Sequence, residues 1–202
     1  MMKWTNSGKE FEQPPIGTHI ARCFRLIDIG TQQGEYQGRP VFRRQVIISW
    51  ELPNTHMAEG EYQGQPFMVS KYYTASLSEK ANLRKDLVNW RGREFTDDEL
   101  KGFESKNILG KPCMLSLTAS DKGKSRVTGV MAMPQGSQCP EQINPSVHFS
   151  LERDEFNVEV FNKLSAYYQE QIKKSPEWAE LNGQVEQKQK THFEDFADDI
   201  PF

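Results

Sequence analysis

Ile16-Gly17-Thr18-His19-Ile20-Ala21-Arg22-Cys23-Phe24-Arg25-Leu26-Ile27-Asp28-Ile29 is apolar on both alternating parities. A strand with one wet face would show apolar residues on a single parity, so this stretch reads as a long strand, bulged or coiled around a small barrel. Gly30 is expected to end it. Gly34-Glu35-Tyr36-Gln37-Gly38-Arg39-Pro40 then reads as a loop. In Val41 to Leu52, Phe42, Val46, Ile48, Trp50 and Leu52 share one parity, opposite Arg43, Gln45, Ser49 and Glu51. Such alternation predicts a second strand with one face in solvent.

The loop pattern returns as Gly60-Glu61-Tyr62-Gln63-Gly64-Gln65-Pro66, again ahead of an apolar run. Two copies do not make a repeat architecture, and a turn sequence used twice accounts for them. In the third strand Phe67, Val69, Tyr73, Ala75 and Leu77 are expected inside, with Met68, Ser70, Tyr72 and Thr74 outside. Lys71 breaks the inner parity and suggests a bulge or register shift. Ser76-Leu77-Ser78-Glu79 has the spacing of a capping box opening a helix through Trp90, with Leu83, Leu87 and Trp90 as its stripe and Gly92 as its C-cap. Thr96-Asp97-Asp98-Glu99 starts a shorter helix to Phe103. Cys113–Ala119 and Arg126–Met133 then form a hairpin around Ser120-Asp121-Lys122-Gly123-Lys124.

Strand, strand, strand, helix, strand, strand is the order of the OB-fold, a five-stranded barrel with its helix between strands 3 and 4. The expected class is therefore mainly β with helical additions. Residues 1–15 read as an N-terminal arm and 16–135 as the barrel with a helical insertion at 78–103. Residues 136–153 read as a connector and 154–181 as a C-terminal helical extension, with Val160, Phe161, Leu164, Tyr168 and Ile172 on one face of a helix over 157–174. Ser175-Pro176-Glu177 supplies an N-cap and first helical position for another turn. Residues 182–202 read as a flexible linker and an acidic tip.

The net charge of -3 conceals a split: residues 1–150 carry +3 and residues 151–202 carry -6. A mildly basic body with an acidic end suits a polyanion-binding domain that carries its own anionic competitor, although unequal charge is also common in soluble proteins. No run of about eighteen apolar residues and no hydrophobic leader is present, so a soluble intracellular protein is expected. Cys23, Cys113 and Cys139 are odd in number and widely spaced, unlike a disulfide framework or a zinc site, and are expected to be reduced.

An OB barrel binds single strands on the outward face of strands 2 and 3 and in its loops, with bases on aromatic rings and phosphates along basic side chains. The candidates here are Tyr36, Arg39, Arg43 and Arg44 around the second strand, Lys71 and Tyr72 in the third, and Lys122, Lys124 and Arg126 at the hairpin. Enzyme chemistry finds little support. Asp97, Asp98 and Glu99 answer a helix dipole, His19 and Cys23 lie too far apart along a strand to share a metal, and no phosphate loop or nucleophile motif occurs. No catalytic residue, metal or cofactor is expected.

Gly17-Thr18-His19, Leu26-Ile27-Asp28-Ile29-Gly30, Trp50-Glu51-Leu52-Pro53, Ala81-Asn82-Leu83-Arg84-Lys85-Asp86-Leu87, Trp90-Arg91-Gly92-Arg93 and Leu109-Gly110-Lys111 together resemble bacteriophage-encoded OB-fold single-stranded DNA-binding proteins over residues 16–135. The run from Phe161 to Trp178 is similar to the helical extension of some of them. Asp198-Asp199-Ile200-Pro201-Phe202 resembles the acidic tip of bacterial single-stranded DNA-binding proteins, which docks on replication, recombination and repair proteins. The resemblance implies a non-enzymatic protein that coats single-stranded DNA in the cytoplasm of an infected bacterium and recruits partners through those five residues. The helical pair at 78–103 departs from the bacterial proteins and puts their tetrameric assembly in doubt. A protein-interaction adaptor of OB-like fold, or a strand-annealing recombination protein, would share these features.

Overall fold

The computed structural model describes residues 12–183. Residues 1–11 and 184–202, including the predicted partner-binding residues Asp198, Asp199, Ile200, Pro201 and Phe202, lie outside the described residues. The described chain is mainly β: an antiparallel path of five strands in the order β3-β2-β1-β4-β5, with a sixth strand paired to β1. The strands are β1 (Gly17–Tyr36), β2 (Arg39–His56), β3 (Pro66–Thr74), β4 (Pro112–Ala119), β5 (Ser125–Met131) and β6 (Val147–Phe149). Between β3 and β4 lie α1 (Asn82–Arg91), α2 (Asp97–Lys101) and a 3-10 turn, Ser105–Ile108. After β6 come α3 (Val158–Lys163), α4 (Ala166–Lys173) and a helical stretch over residues 176–183.

β1 is apolar on both parities for two reasons, of which the sequence suggested one. It carries bulges between Cys23 and Arg25 and between Asp28 and Gly30. It also has two cores. One face contributes Ala21, Cys23 and Leu26 to a cluster with Trp50, Leu52, Val69, Tyr73, Leu87 and Trp90; the other contributes Ile27 and Ile29 to a cluster with Ile47, Phe149, Phe161, Leu164 and Ile172. Gly30 does not end the strand. It sits at a bulge with φ +70°, and an added Cβ would lie 2.4 Å from the Cβ of Ser175, so a side chain there would collide with the C-terminal helices. β1 runs on to Tyr36, and Gly34–Pro40 is the tip of a long hairpin that turns through Gln37 (φ 52°) and Gly38 (φ 75°). The second copy of the pattern turns with Gly60 and Gly64 at positive φ and enters β3 at Pro66.

The wet face expected of β2 is covered along half its length. Ile47, Ser49 and Glu51 are buried. Both Glu51 carboxylate oxygens accept hydrogen bonds from the 136–153 connector: from Ile143 N at 2.8 Å, Asn144 N at 2.8 Å and Asn144 Nδ2 at 2.6 Å. Arg22 ties the same connector down by donating to the Pro140 carbonyl at 2.7 Å and the Cys139 carbonyl at 3.2 Å. The connector then forms β6, which pairs in parallel with Arg25–Ile27. A segment read as irregular is thus sewn to the sheet.

Local helix signals divide into those that form and those that are overridden. Thr96 and Glu99 make a complete capping box on α2. Ser76-Leu77-Ser78-Glu79 does not: α1 begins at Asn82 behind Ala81, while Ser76 bonds locally to Ser78. Leu87 and Trp90 are buried as the stripe predicts, and Gly92 is a left-handed C-cap whose N–H reaches the Val88 carbonyl. The helix expected over 157–174 is broken at Leu164, which is extended, and Gln169 Nε2 donates to the carbonyls of Phe161 and Leu164 at the break. The predicted buried face survives the break, because Phe161, Leu164 and Ile172 all reach the core. Ser175 Oγ accepts from Trp178 N as an N-cap should. All three cysteines are free thiols, two of them buried.

Candidate nucleic-acid interface

Strand parity and register decide which side chains share a surface. β2 and β3 pair without a break from Gln45↔Thr74 to Leu52↔Phe67, so Lys71 causes no bulge. It keeps the inner parity of Val69 and Tyr73, and its ammonium is bonded to Asp86 of α1 at 2.7 Å, where the Tyr73 hydroxyl also donates at 2.7 Å. Lys71 therefore lies on the opposite side of β3 from Tyr72. Arg44 is likewise engaged. Its guanidinium binds the largely buried Asp28 and, at 2.6 Å, Glu152. Bonding to Asp28 raises the Arg44 pKa further above its ordinary value, and burial only partly opposes it.

The outer parity of β2 carries Arg39 and Arg43, and Tyr36 pairs across the hairpin with Arg39. Arg43 lies over the Tyr36 ring at 5.6 Å, a cation–π contact on an arm exposed to solvent. Down the same face, β3 presents Tyr72, Ser70 and Met68 opposite Ile47, Ser49 and Glu51. The 136–153 connector and the C-terminal helices cover the β2 members of these pairs and leave the β3 members open. At the step so formed the Tyr72 hydroxyl donates to the Tyr167 hydroxyl of α4 at 3.2 Å, and the two side chains are 46% and 54% exposed. Burial raises the Tyr72 phenol above its ordinary range, and the bond to Tyr167 adds to the effect. The Tyr72 ring therefore stays neutral at physiological pH.

Arg25 completes the cluster. Its guanidinium lies 5.1 Å from the rings of both Phe24 and Tyr168 and donates to Ser49 Oγ at 3.2 Å, which in turn bonds Ser70 Oγ at 2.8 Å. Tyr167 and Tyr168 meet edge-on at 5.7 Å. The result is a strip of three tyrosines around a cation that sits on aromatic faces. Flat π-surfaces beside an immobilised guanidinium suit stacking and backbone contact with an unpaired strand.

Arg25, Tyr167 and Tyr168 are the residues that sequence reasoning missed. Arg25 hides within an apolar strand, and Tyr168 reads as a docking residue, which in part it is. The adjacent pair Tyr167-Tyr168 was the available signal: neighbouring helix positions diverge by about 100°, so when one tyrosine docks the next lies beside it at the edge of the interface. Lys122, Lys124 and Arg126 are exposed at and beside the β4–β5 turn, closed by Gly123 N to the Ser120 carbonyl at 2.8 Å. The structure thus brings Tyr36, Arg39, Arg43 and Tyr72 to one face, leaves Lys122, Lys124 and Arg126 apart from it at the β4–β5 hairpin, and commits Arg44 and Lys71 to internal ion pairs.

Among the described residues no group of three or more metal-ligating side chains occurs, and no helix is long and apolar enough to cross a membrane. No family model, curated protein or solved structure matches the chain, so the arrangement of its own side chains carries the functional argument.

Proposed function

We propose that this chain binds single-stranded nucleic acid, and single-stranded DNA in particular, without catalysing a reaction on it. The observation that carries the reading is the half-exposed Tyr72–Tyr167 pair beside Arg25, on the outer face of β3 where it meets α4. The strand order supports it. β3-β2-β1-β4-β5 with helices between β3 and β4 is the OB order, and pairing β3 with β5 would complete the barrel. The two edges already approach across one groove, lined by Phe67, Val69 and Val127 and by residues 12–14. Ser125 Oγ donates to the Pro14 carbonyl at 2.6 Å, and Glu12 accepts from Ala58 N at 2.8 Å, which staples that segment along the seam.

In this reading bases stack on Tyr72 and Tyr167, and phosphates follow Arg25, Arg39 and Arg43. The acidic 194–202 segment recruits replication or recombination proteins, in the setting of a phage-infected bacterial cytoplasm. Fluorescence anisotropy with labelled dT oligomers, duplex DNA and RNA at two salt concentrations tests the binding. Tyr72→Ala and Tyr167→Ala should each weaken dT binding by about 1–3 kcal/mol, and wild-type affinity should fall steeply with salt. Equal affinity for duplex and single strands, or full affinity in the double variant Tyr72→Ala/Tyr167→Ala, would refute the assignment.

A further inference from the structure

The C-terminal end of α1 carries cations that the nucleic-acid reading leaves unused. Arg91 and Arg93 follow Trp90, and Glu99 of α2 lies against both. Glu99 is fully subscribed. One of its oxygens accepts from Arg91 and, at 2.7 Å, from Arg93 Nη2; the other accepts from Arg93 Nη1 and Thr96 N, each at 3.0 Å. Two guanidinium groups thus share one carboxylate, and the capping box of α2 draws on it as well.

Arg91 is poorly neutralised for its position. Its side chain is 16% exposed, and its guanidinium carbon lies 4.3 Å from the Phe95 ring centroid and 5.5 Å from that of Phe103. Nη1 is buried and has no hydrogen-bond partner among the described residues. Buried charges are as a rule paired and their N–H groups bonded. Arg91, Arg93 and Glu99 line a pocket of about 440 Å³, bounded also by the 3-10 turn and the start of β4. Lys111 adds a third cation, exposed and without an ion pair among the described residues. No other acidic residue among the described ones lines the pocket, so three cations face one carboxylate and the lining holds an excess of two positive charges at neutral pH. Phe103 and Ile108 supply an apolar side.

We infer that this pocket binds a small phosphate monoester, with its phosphoryl group toward Arg91, Arg93 and Lys111 and its organic part against Phe103 and Ile108. Charge selects the class. A phosphate monoester carries about −1.5 to −2 at pH 7, close to the excess in the lining, whereas a sulfate ester or a backbone phosphodiester carries a single charge. Guanidinium and ammonium groups are also the donors that suit phosphoryl oxygens. The volume falls within the range of small-molecule sites, about 300–1,000 Å³. Tyr72, Tyr167 and Arg25 do not line the pocket, so the inference stands apart from the nucleic-acid reading.

Titration of the full chain with phenyl phosphate, followed by amide and indole NMR, tests it. Trp90 lines the pocket and donates its Nε1–H to the Pro112 carbonyl at 2.7 Å, so its indole signal is a local reporter. Saturable shifts of that signal and of the amides of residues 91–93 and 107–111 are expected. Phenyl sulfate has the same shape with less charge and should bind at least about fivefold more weakly. Lys111→Glu should weaken phenyl phosphate at least about tenfold, as for the loss of one charge-assisted contact, and Lys111→Arg should retain it. An unchanged Tm in both variants shows that they fold. Absence of a saturable shift, full affinity in Lys111→Glu, or equal affinity for phenyl sulfate overturns the inference. Excess dT oligomer should leave phenyl phosphate in place, and displacement would overturn the inference by giving the pocket to the nucleic-acid backbone. Failure of dT to bind at all counts against the nucleic-acid reading alone.

Discussion

Glu51 offers the sharpest test of how the 136–153 connector is held. It is fully buried, and its two oxygens accept three N–H donors from Ile143 and Asn144. In Glu51→Gln the amide can offer one carbonyl. It is best placed toward Asn144, where it serves two donors, and the NH2 then faces the Ile143 N–H. One charge-assisted bond is lost, at about 1.5–3 kcal/mol, and a buried N–H is left unpaired, at about 1–3 kcal/mol. Because the two overlap, the expected loss is about 3 kcal/mol. For a chain of this size that lowers Tm by roughly 6–12 °C. Glu51→Ala, which strands all three donors, should cost at least as much, about 3–5 kcal/mol. Urea unfolding gives the loss as a shift in midpoint at constant slope, and amide exchange should show Ile143 and Asn144 losing protection. A loss under about 1 kcal/mol in both variants, with both amides still protected, would refute the view that this carboxylate clasps the connector to the sheet.

Glu99 should titrate far below the ordinary carboxylate range, at about 2, chiefly because Arg93 bonds it, with Thr96 N and Arg91 adding to the effect and slight burial opposing it. A folded pKa below the unfolded one contributes stability above about 4.5 that is lost as pH falls toward about 2; carboxyl NMR should show that midpoint and its rise in Arg93→Ala. Burial pushes the Cys23 thiol up to about 12 and raises Cys113 as well, whereas Cys139 is only partly buried. A thiol reagent should therefore modify Cys139 in the native protein and the other two only on unfolding, as mass spectrometry would show.

Elements whose signals are local could be read from the sequence. Thr96 and Glu99 close their box because both partners lie within one turn, and the β4–β5 turn forms at Ser120–Lys124 for the same reason. What escaped was set by distant partners. Ser49 and Glu51 look wet because they are polar, but the donors that satisfy Glu51 arrive 92 and 93 residues later. Lys71 looked like a parity fault because Asp86, which lets an ammonium face inward, belongs to another element. The candidate site follows the same division: Tyr36 was read from its loop and Arg43 and Tyr72 from strand parity, while Arg25 and Tyr167 share a surface only because α4 docks beside β1 and β3.

β1 changes neighbours along its length, since Gly17–Arg22 pairs with β4 and Arg25–Ile27 pairs with β6 on the edge that β4 leaves open. The order of synthesis gives this handover a kinetic meaning. When β5 leaves the ribosome the five-strand path is complete, yet Ile27, Ile29 and Ile47 still face outward and three residues of β1 offer an unpaired edge. Until β6 and the helices after it have been made, the nascent chain displays a sticky apolar face beside an open strand, the combination that invites misassembly. Residues 136–183 thus close the open edge and cover the apolar face of the first strand only after the rest of the sheet has been made.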